Sequence, residues 1–166
     1  MKAAPAALTI RPATDGDREA MWRILEPVIR AGETYALPPQ MPQDEALAYW
    51  LASAHEVFVA DDSGEIVGTY YLRENQSAGA DVANCGYMTA AAASGRGVAR
   101  AMCAHSIARA KERGFRAMQY NFVVATNERA VLLWQSFGFD IVARLPGAFR
   151  HPKLGAVDAL VMHRAL

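Results

Sequence analysis

The chain has 166 residues, 52% of them apolar and 20% charged, which is enough for one domain with its own core and too little for two. Its 17 basic and 17 acidic residues cancel, so no global field draws it to nucleic acid or to an anionic membrane, and neither is expected as a partner. No apolar run approaches the roughly 18 residues of a spanning helix, and Met1 to Pro5 lacks the apolar stretch of a leader.

The elements follow in order. Leu8 to Arg11 reads as a first strand, and Thr14-Asp15-Gly16-Asp17 offers N-cap residues for a helix. In that helix Met21, Ile24, Leu25, Val28 and Ile29 recur at helical spacing as a buried stripe. Pro27 interrupts it, so a kink or an early break is expected, either tolerated or shaping a pocket near Thr34 and Tyr35. A second helix begins near Pro42, with Asp44 and Glu45 suited to its first turn and Leu47, Trp50 and Leu51 inward. Val57 to Ala60 and Ile66 to Arg73 read as a hairpin around Asp61-Asp62-Ser63-Gly64. Another strand covers Ala80 to Thr89. Helix Gly97 to Arg113, strand Ala117 to Val123, helix Glu128 to Ser136 and strands Phe139 to Arg144 and Val157 to Arg164 complete the chain. The order predicts a mixed α/β domain around one central sheet.

Cys85 and Cys103 are the only cysteines, and neither stands at metal-ligand spacing. They read as reduced thiols of a cytoplasmic protein without a metal site.

The most informative stretch is a strand, then Ala93-Ser94-Gly95-Arg96-Gly97-Val98-Ala99, then a helix. Small residues let a ligand approach the backbone, and the unpaired N–H groups of a first helical turn suit a phosphate or pyrophosphate. Taken alone, such a turn is also an ordinary connection. It is neither a P-loop nor a dinucleotide fingerprint.

This turn resembles the Gln/Arg-x-x-Gly-x-Gly/Ala signature of the Gcn5-related N-acetyltransferases (GNAT), with Ser94 first, Gly97 fourth and Ala99 sixth. Arg113-Gly114-Phe115 and Leu133-Trp134-Gln135-Ser136-Phe137-Gly138-Phe139 resemble later landmarks of that family. Ser94 departs from Gln/Arg, losing a side chain but no backbone donor. The resemblance implies a mostly antiparallel mixed sheet with a splayed strand pair, about four helices, and acetyl-CoA as cosubstrate. It further implies that Tyr87, Met88 and Thr89 pair with pantetheine while Ser94, Gly95, Arg96, Gly97, Val98 and Ala99 hold pyrophosphate. Arg96 and Arg100 either add phosphate contacts or are solvated surface arginines.

Gly32-x-Thr34-Tyr35, Tyr49-Trp50, Gly68-Thr69-Tyr70-Tyr71, Asn84-x-Gly86-Tyr87, Asn121-Phe122-x-x-x-Thr126-Asn127 and Val157-Asp158-Ala159 are similar to the proline-analogue N-acetyltransferase branch. That resemblance implies that the Asn84 side chain binds the acceptor substrate, that the backbone amides of Asn121 and Phe122 take its carboxylate, and that catalytic Asn127 contacts the acetyl-CoA sulfur. Plainer roles stand beside these: Asn127 as a helix N-cap, Asn84 satisfying a strand bulge, Asn121 bonding a neighbour.

Many relatives have a tyrosine acid where this chain has Trp134, whose indole N–H is no acid near neutral pH. His105 follows Val98 and Met102 at helical spacing and reads as a packed, hydrogen-bonded histidine. Glu33 and Asp81 are the candidate bases. Alternatives to the small cyclic acceptor are a primary-amine amino-acid analogue such as phosphinothricin or methionine sulfoximine, and a CoA-binding module with little turnover. A homodimer through the sheet edges or a loop at Pro146 to Gly155 is a further expectation.

Overall fold

A computed structural model describes residues 8–166. The apolar segments pair into one sheet of β1 (Thr9–Pro12), β2 (Glu56–Asp62), β3 (Glu65–Glu74), β4 (Val82–Thr89), β5 (Ala117–Val124), β6 (Asp140–His151) and β7 (Gly155–Ala165). Their spatial order is β1-β2-β3-β4-β5-β7-β6. All neighbours run antiparallel except β4 and β5. With helices α1 (Arg18–Ala31), α2 (Gln43–Trp50), α3 (Val98–Glu112) and α4 (Glu128–Ser136), this is the expected mixed α/β architecture.

Strand alternation divides the core between two faces. Tyr70, Leu72 and Cys85 pack with Met102, Cys103 and Ile107 of α3 and Trp134 of α4. Val59, Tyr71 and Met88 point the other way, against Met21, Leu25 and Ile29 of α1 and Leu47 and Trp50 of α2. Each fully buried side chain of this size contributes about 1.5–3 kcal/mol. Trp50 is also held by polar contacts: its indole N–H donates to Thr69 Oγ1 at 3.0 Å, and that hydroxyl donates to the Phe58 carbonyl at 2.8 Å.

Asp17 fixes the entry to α1. Its buried carboxylate accepts from the Thr14 backbone N–H at 2.8 Å and from the Arg11 guanidinium at 2.8 and 2.9 Å. The helix does not break at Pro27; it runs on to Ala31 and ends at Gly32, in the left-handed region with φ 63°. Packing of Ile24, Leu25 and Ile29 outweighs the one missing backbone donor. The β2–β3 hairpin turns on Ser63 and Gly64, both at positive φ.

One expected loop is a strand. Pro146 to His151 belong to β6, where a register shift between Leu145 and Phe149 absorbs Pro146-Gly147-Ala148. β6 is the outer strand of the sheet, where a proline costs no ladder bond on its free side. The Asp158 carboxylate holds the shift by accepting from the Gly147 N–H at 2.9 Å and from Arg144 at 2.8 Å.

Among the described residues no helix is long and apolar enough to cross a membrane.

Candidate active site

β4 and β5 are paired only at Val82 with Ala117 and Ala83 with Met118. Beyond that vertex the strands separate, and Asn84 to Thr89 face Asn121 to Val124 across a cleft of about 1040 Å³. Aromatic side chains fill the α3 side of the gap. The Tyr87 phenol lies 2.7 Å from both Ser106 Oγ and Tyr120 Oη, and the Trp134 ring lies 4.8 Å from the Tyr87 ring and 5.1 Å from that of Tyr120. Burial raises both phenols well above their usual pKa, so they remain neutral. Trp134 is a packing residue here.

One mouth of the cleft is the glycine turn. Gly95 and Gly97 have φ of 78° and 82°, and a side chain at either would meet open space, so backbone conformation accounts for the glycines. No side chain caps α3 at Gly97. Ser94, Gly95, Gly97, Val98 and Ala99 line the cleft, leaving first-turn N–H groups and the positive helix end directed at it. The turn is set close to β3 by Gly68, where a Cβ would lie 2.8 Å from Val98 Cγ1.

Arg96 is turned elsewhere. Its guanidinium pairs with Asp62 at the end of β2, so its side chain is outside the cleft lining. Arg100 does line the cleft, and so does Arg129, which donates to Ser94 Oγ at 3.1 Å. Arg129 is absent from the expected site. A cation in the first turn of a helix opposes the helix dipole, and that was the available signal for an anion nearby.

Asn127 stands at the N-cap position of α4, yet its side chain makes no capping bond. Its backbone N–H bonds the Val124 carbonyl at 2.9 Å, and the residue lines the cleft. On β5, the register with β7 steps from Tyr120–Met162 to Val123–Leu160, leaving Asn121 and Phe122 as a bulge out of register with β7. The Asn121 side chain is engaged locally, donating to Asn75 Oδ1 at 2.6 Å and accepting from Gln119 at 3.0 Å.

The opposite wall belongs to the α1–α2 side. Asn84 is buried on β4, and Tyr71 crosses Gly86 so closely that a Cβ there would lie 2.6 Å from the ring. Met88 is buried on this face too, and Thr89 lines the cleft. Tyr35, just after α1, spans to β4: its hydroxyl accepts from the Tyr87 backbone N–H at 2.7 Å and donates to the Tyr87 carbonyl at 2.9 Å.

Among the described residues lining the cleft there is no Asp, Glu or His. Glu33 pairs with Lys153 at 2.6 Å, which lowers its pKa, and neither Glu33 nor Asp81 lines the cleft. His105 is packed as expected, with Nδ1 2.7 Å from the Tyr70 hydroxyl and its pKa lowered by burial. Cys85 and Cys103 are unpaired, and burial pushes both thiols up to about 12. Among the described residues no three His, Cys, Asp or Glu side chains group as metal ligands.

A GCN5-related N-acetyltransferase from Kribbella flavida matches this structure with 42% identity and a TM-score of 0.93, over 98% of this chain and 100% of that one. YncA from Salmonella typhimurium, a putative acetyltransferase solved with acetyl-CoA, matches at 22% identity and TM-score 0.84, over 96% and 94% of the two chains. A phosphinothricin acetyltransferase from Sinorhizobium meliloti, solved in complex with acetyl-CoA, matches at 20% and 0.83, over 96% and 88%. The last two likenesses show the fold. No curated protein sequence matches the chain. The acetyltransferase (GNAT) family model matches residues 19–139, most of the chain, and the protein therefore belongs to the GNAT acetyltransferase family.

Proposed function

We propose that the protein is an acetyl-CoA-dependent N-acetyltransferase for a small amino-acid-like acceptor of the proline-analogue class, acting by direct attack in a ternary complex. The observation that carries this reading is the splayed β4–β5 pair, with an uncapped glycine turn at one mouth and an amide-rich wall at the other.

Acetyl-CoA, when bound, supplies the acyl group as a thioester. Gly95, Gly97, Val98 and Ala99 offer backbone donors for its pyrophosphate, with Ser94 beside them and Arg100 and Arg129 adding charge. Tyr87, Met88 and Thr89 offer the β4 edge to pantetheine. The Tyr87 N–H is the donor for charge developing on the thioester oxygen, and the Asn127 amide for charge developing on sulfur. Asn84 positions the acceptor amine, and the Asn121 and Phe122 amides receive its carboxylate. With no carboxylate or imidazole among the described residues lining the cleft, the protein's contribution is positioning and hydrogen bonding. The two unpaired, buried cysteines suit the reducing cytoplasm.

The test is CoA release with a panel of cyclic secondary and primary amino acids. Turnover confined to cyclic imino acids is the expected result. Preference for primary amines would move the protein to the phosphinothricin type of substrate. Absence of steady release with any amine would leave a CoA-binding module and overturn the proposal.

A further inference from the structure

Arg73 lies on β3 directly opposite Asn84 on β4. Tyr70 and Leu72 belong to the α3 side of the core and Tyr71 to the α1–α2 side, so alternation puts Arg73 on the same face as Tyr71. That is also the face of Asn84, Gly86 and Met88, and Arg73 lines the cleft there. Its Nε is buried and has no hydrogen-bond partner, the one such side-chain atom among the described residues. The guanidinium also makes no ion pair among them. Arg11 on β1 and Arg144 on β6, by contrast, sit on carboxylates, and Arg164 on β7 donates to the Phe137 carbonyl at 2.6 Å.

Arg73 as a whole is half-buried, but an Nε–H withdrawn from water without an acceptor costs free energy, and the guanidinium fork matches a carboxylate in two-point geometry. No acidic side chain lines the cleft to provide one. Arg73 is also remote from the pyrophosphate end. Asn84, its cross-strand neighbour, stands five residues before Thr89, about 17 Å short of the end of β4, and the glycine turn lies beyond that end. It lies instead beside the strand vertex, where Asn75, two residues further along the chain, accepts from Asn121 of the bulge.

We propose that Arg73 binds the carboxylate of the acceptor, so that the substrate is a free amino or imino acid rather than a plain amine, ester or carboxamide. This deepens the proposed function and rests on it. The bulge amides of Asn121 and Phe122 meet the same carboxylate as neutral donors, and Arg73 supplies the charge. The neighbouring Asn84 is then placed to orient the amine.

The test compares kcat/KM for an amino-acid acceptor and for its carboxamide, in the wild type and in Arg73→Gln. Taking the ratio of ratios cancels the different basicity of the two amines. The expected result is a wild-type preference for the carboxylate that falls about 10- to 100-fold in Arg73→Gln and is partly kept in Arg73→Lys. Equal losses for both acceptors, or an unchanged preference, would overturn the assignment. Should no acceptor turn over, the proposed function fails on its own. Calorimetric titration of the same amino acids into both proteins then decides for Arg73. Binding by the wild type that Arg73→Gln loses supports it; equal binding, or none to the wild type, overturns it.

Discussion

The Tyr35 hydroxyl accepts from the backbone N–H of Tyr87 and donates to the same residue's carbonyl, at 2.7 and 2.9 Å. One phenol thus satisfies both polar groups that Tyr87 presents to the cleft. Burial raises the phenol's pKa, so the proton stays in place to be donated. The same N–H is the donor proposed for the thioester oxygen, and the hydroxyl must give way for it to act. Tyr35→Phe keeps the ring against Trp50, 6.2 Å away, and leaves two backbone groups unpaired. We expect free-protein stability to fall by about 1–3 kcal/mol, the loss to shrink with saturating acetyl-CoA, and the acetyl-CoA KM to fall. Thermal unfolding with and without acetyl-CoA, together with KM, checks this. A collapse of kcat at saturating acetyl-CoA would instead show that the hydroxyl acts in the loaded enzyme.

The Arg11–Asp17 pair predicts an acid limb of stability. Arg11 hydrogen bonding, opposed in part by burial, lowers the Asp17 carboxyl to about 2. A carboxyl depressed below its unfolded value of about 3.9 stabilises above that pH, and the contribution disappears as pH falls through about 2. At about 1.36 kcal/mol per unit the contribution is roughly 2.6 kcal/mol. Asp17→Asn should therefore be less stable than the wild type at pH 7, with the gap closing between about pH 4 and pH 2. Urea unfolding across that range makes the comparison, and a constant gap would contradict it.

At the glycine turn, Gly97→Asp places a charged side chain at φ 82° beside the α3 N-terminus. The space there is open, so the fold should survive with backbone strain of about 1–2 kcal/mol. The acetyl-CoA KM should rise at least about tenfold, since a fixed negative charge competes for the anion site. Unchanged acetyl-CoA affinity in the folded variant would remove the turn from the site.

The asparagines should separate kinetically. Asn127 caps nothing, so Asn127→Ala should change stability by no more than about 0.5 kcal/mol. A donor used only as the C–S bond breaks affects the chemical step, and kcat should drop about 100-fold. Asn84→Ala should mainly raise the acceptor KM, because its contact serves ground and transition states alike. Steady-state kinetics of both variants test the roles, and the reverse pattern would exchange them.

Much of this architecture is legible from residue order. The Ser63-Gly64 turn and the uncapped Gly97 follow from local chemistry, and the span Glu128–Ser136 matches its helix at both ends. What local pattern hides is tertiary. Arg96 looks like a phosphate ligand from its place in the turn, but its partner Asp62 stands 34 residues earlier. Pro146-Gly147 looks like a loop because nothing nearby reveals that Asp158, across the ladder, will hold it. Arg73 passes for an ordinary strand end until Asn84 is seen opposite it and its Nε found unpartnered. The bulge at Asn121 and Phe122 depends on register with β7, which no local window contains.

We propose that this cleft positions an amine and leaves its deprotonation to solvent. An alkyl ammonium with a pKa of about 10.4 costs roughly 4.6 kcal/mol to deprotonate at pH 7. No carboxylate or imidazole lines the cleft to receive that proton, and the asparagines and Trp134 cannot. The deciding measurement is acceptor kcat/KM from about pH 6 to 10 with two acceptors whose amines differ in pKa. The account predicts a limb that rises through neutral pH and levels near each amine's own pKa, shifting with the acceptor. A plateau that begins at the same pH for both would reveal a titrating group on the enzyme and contradict it.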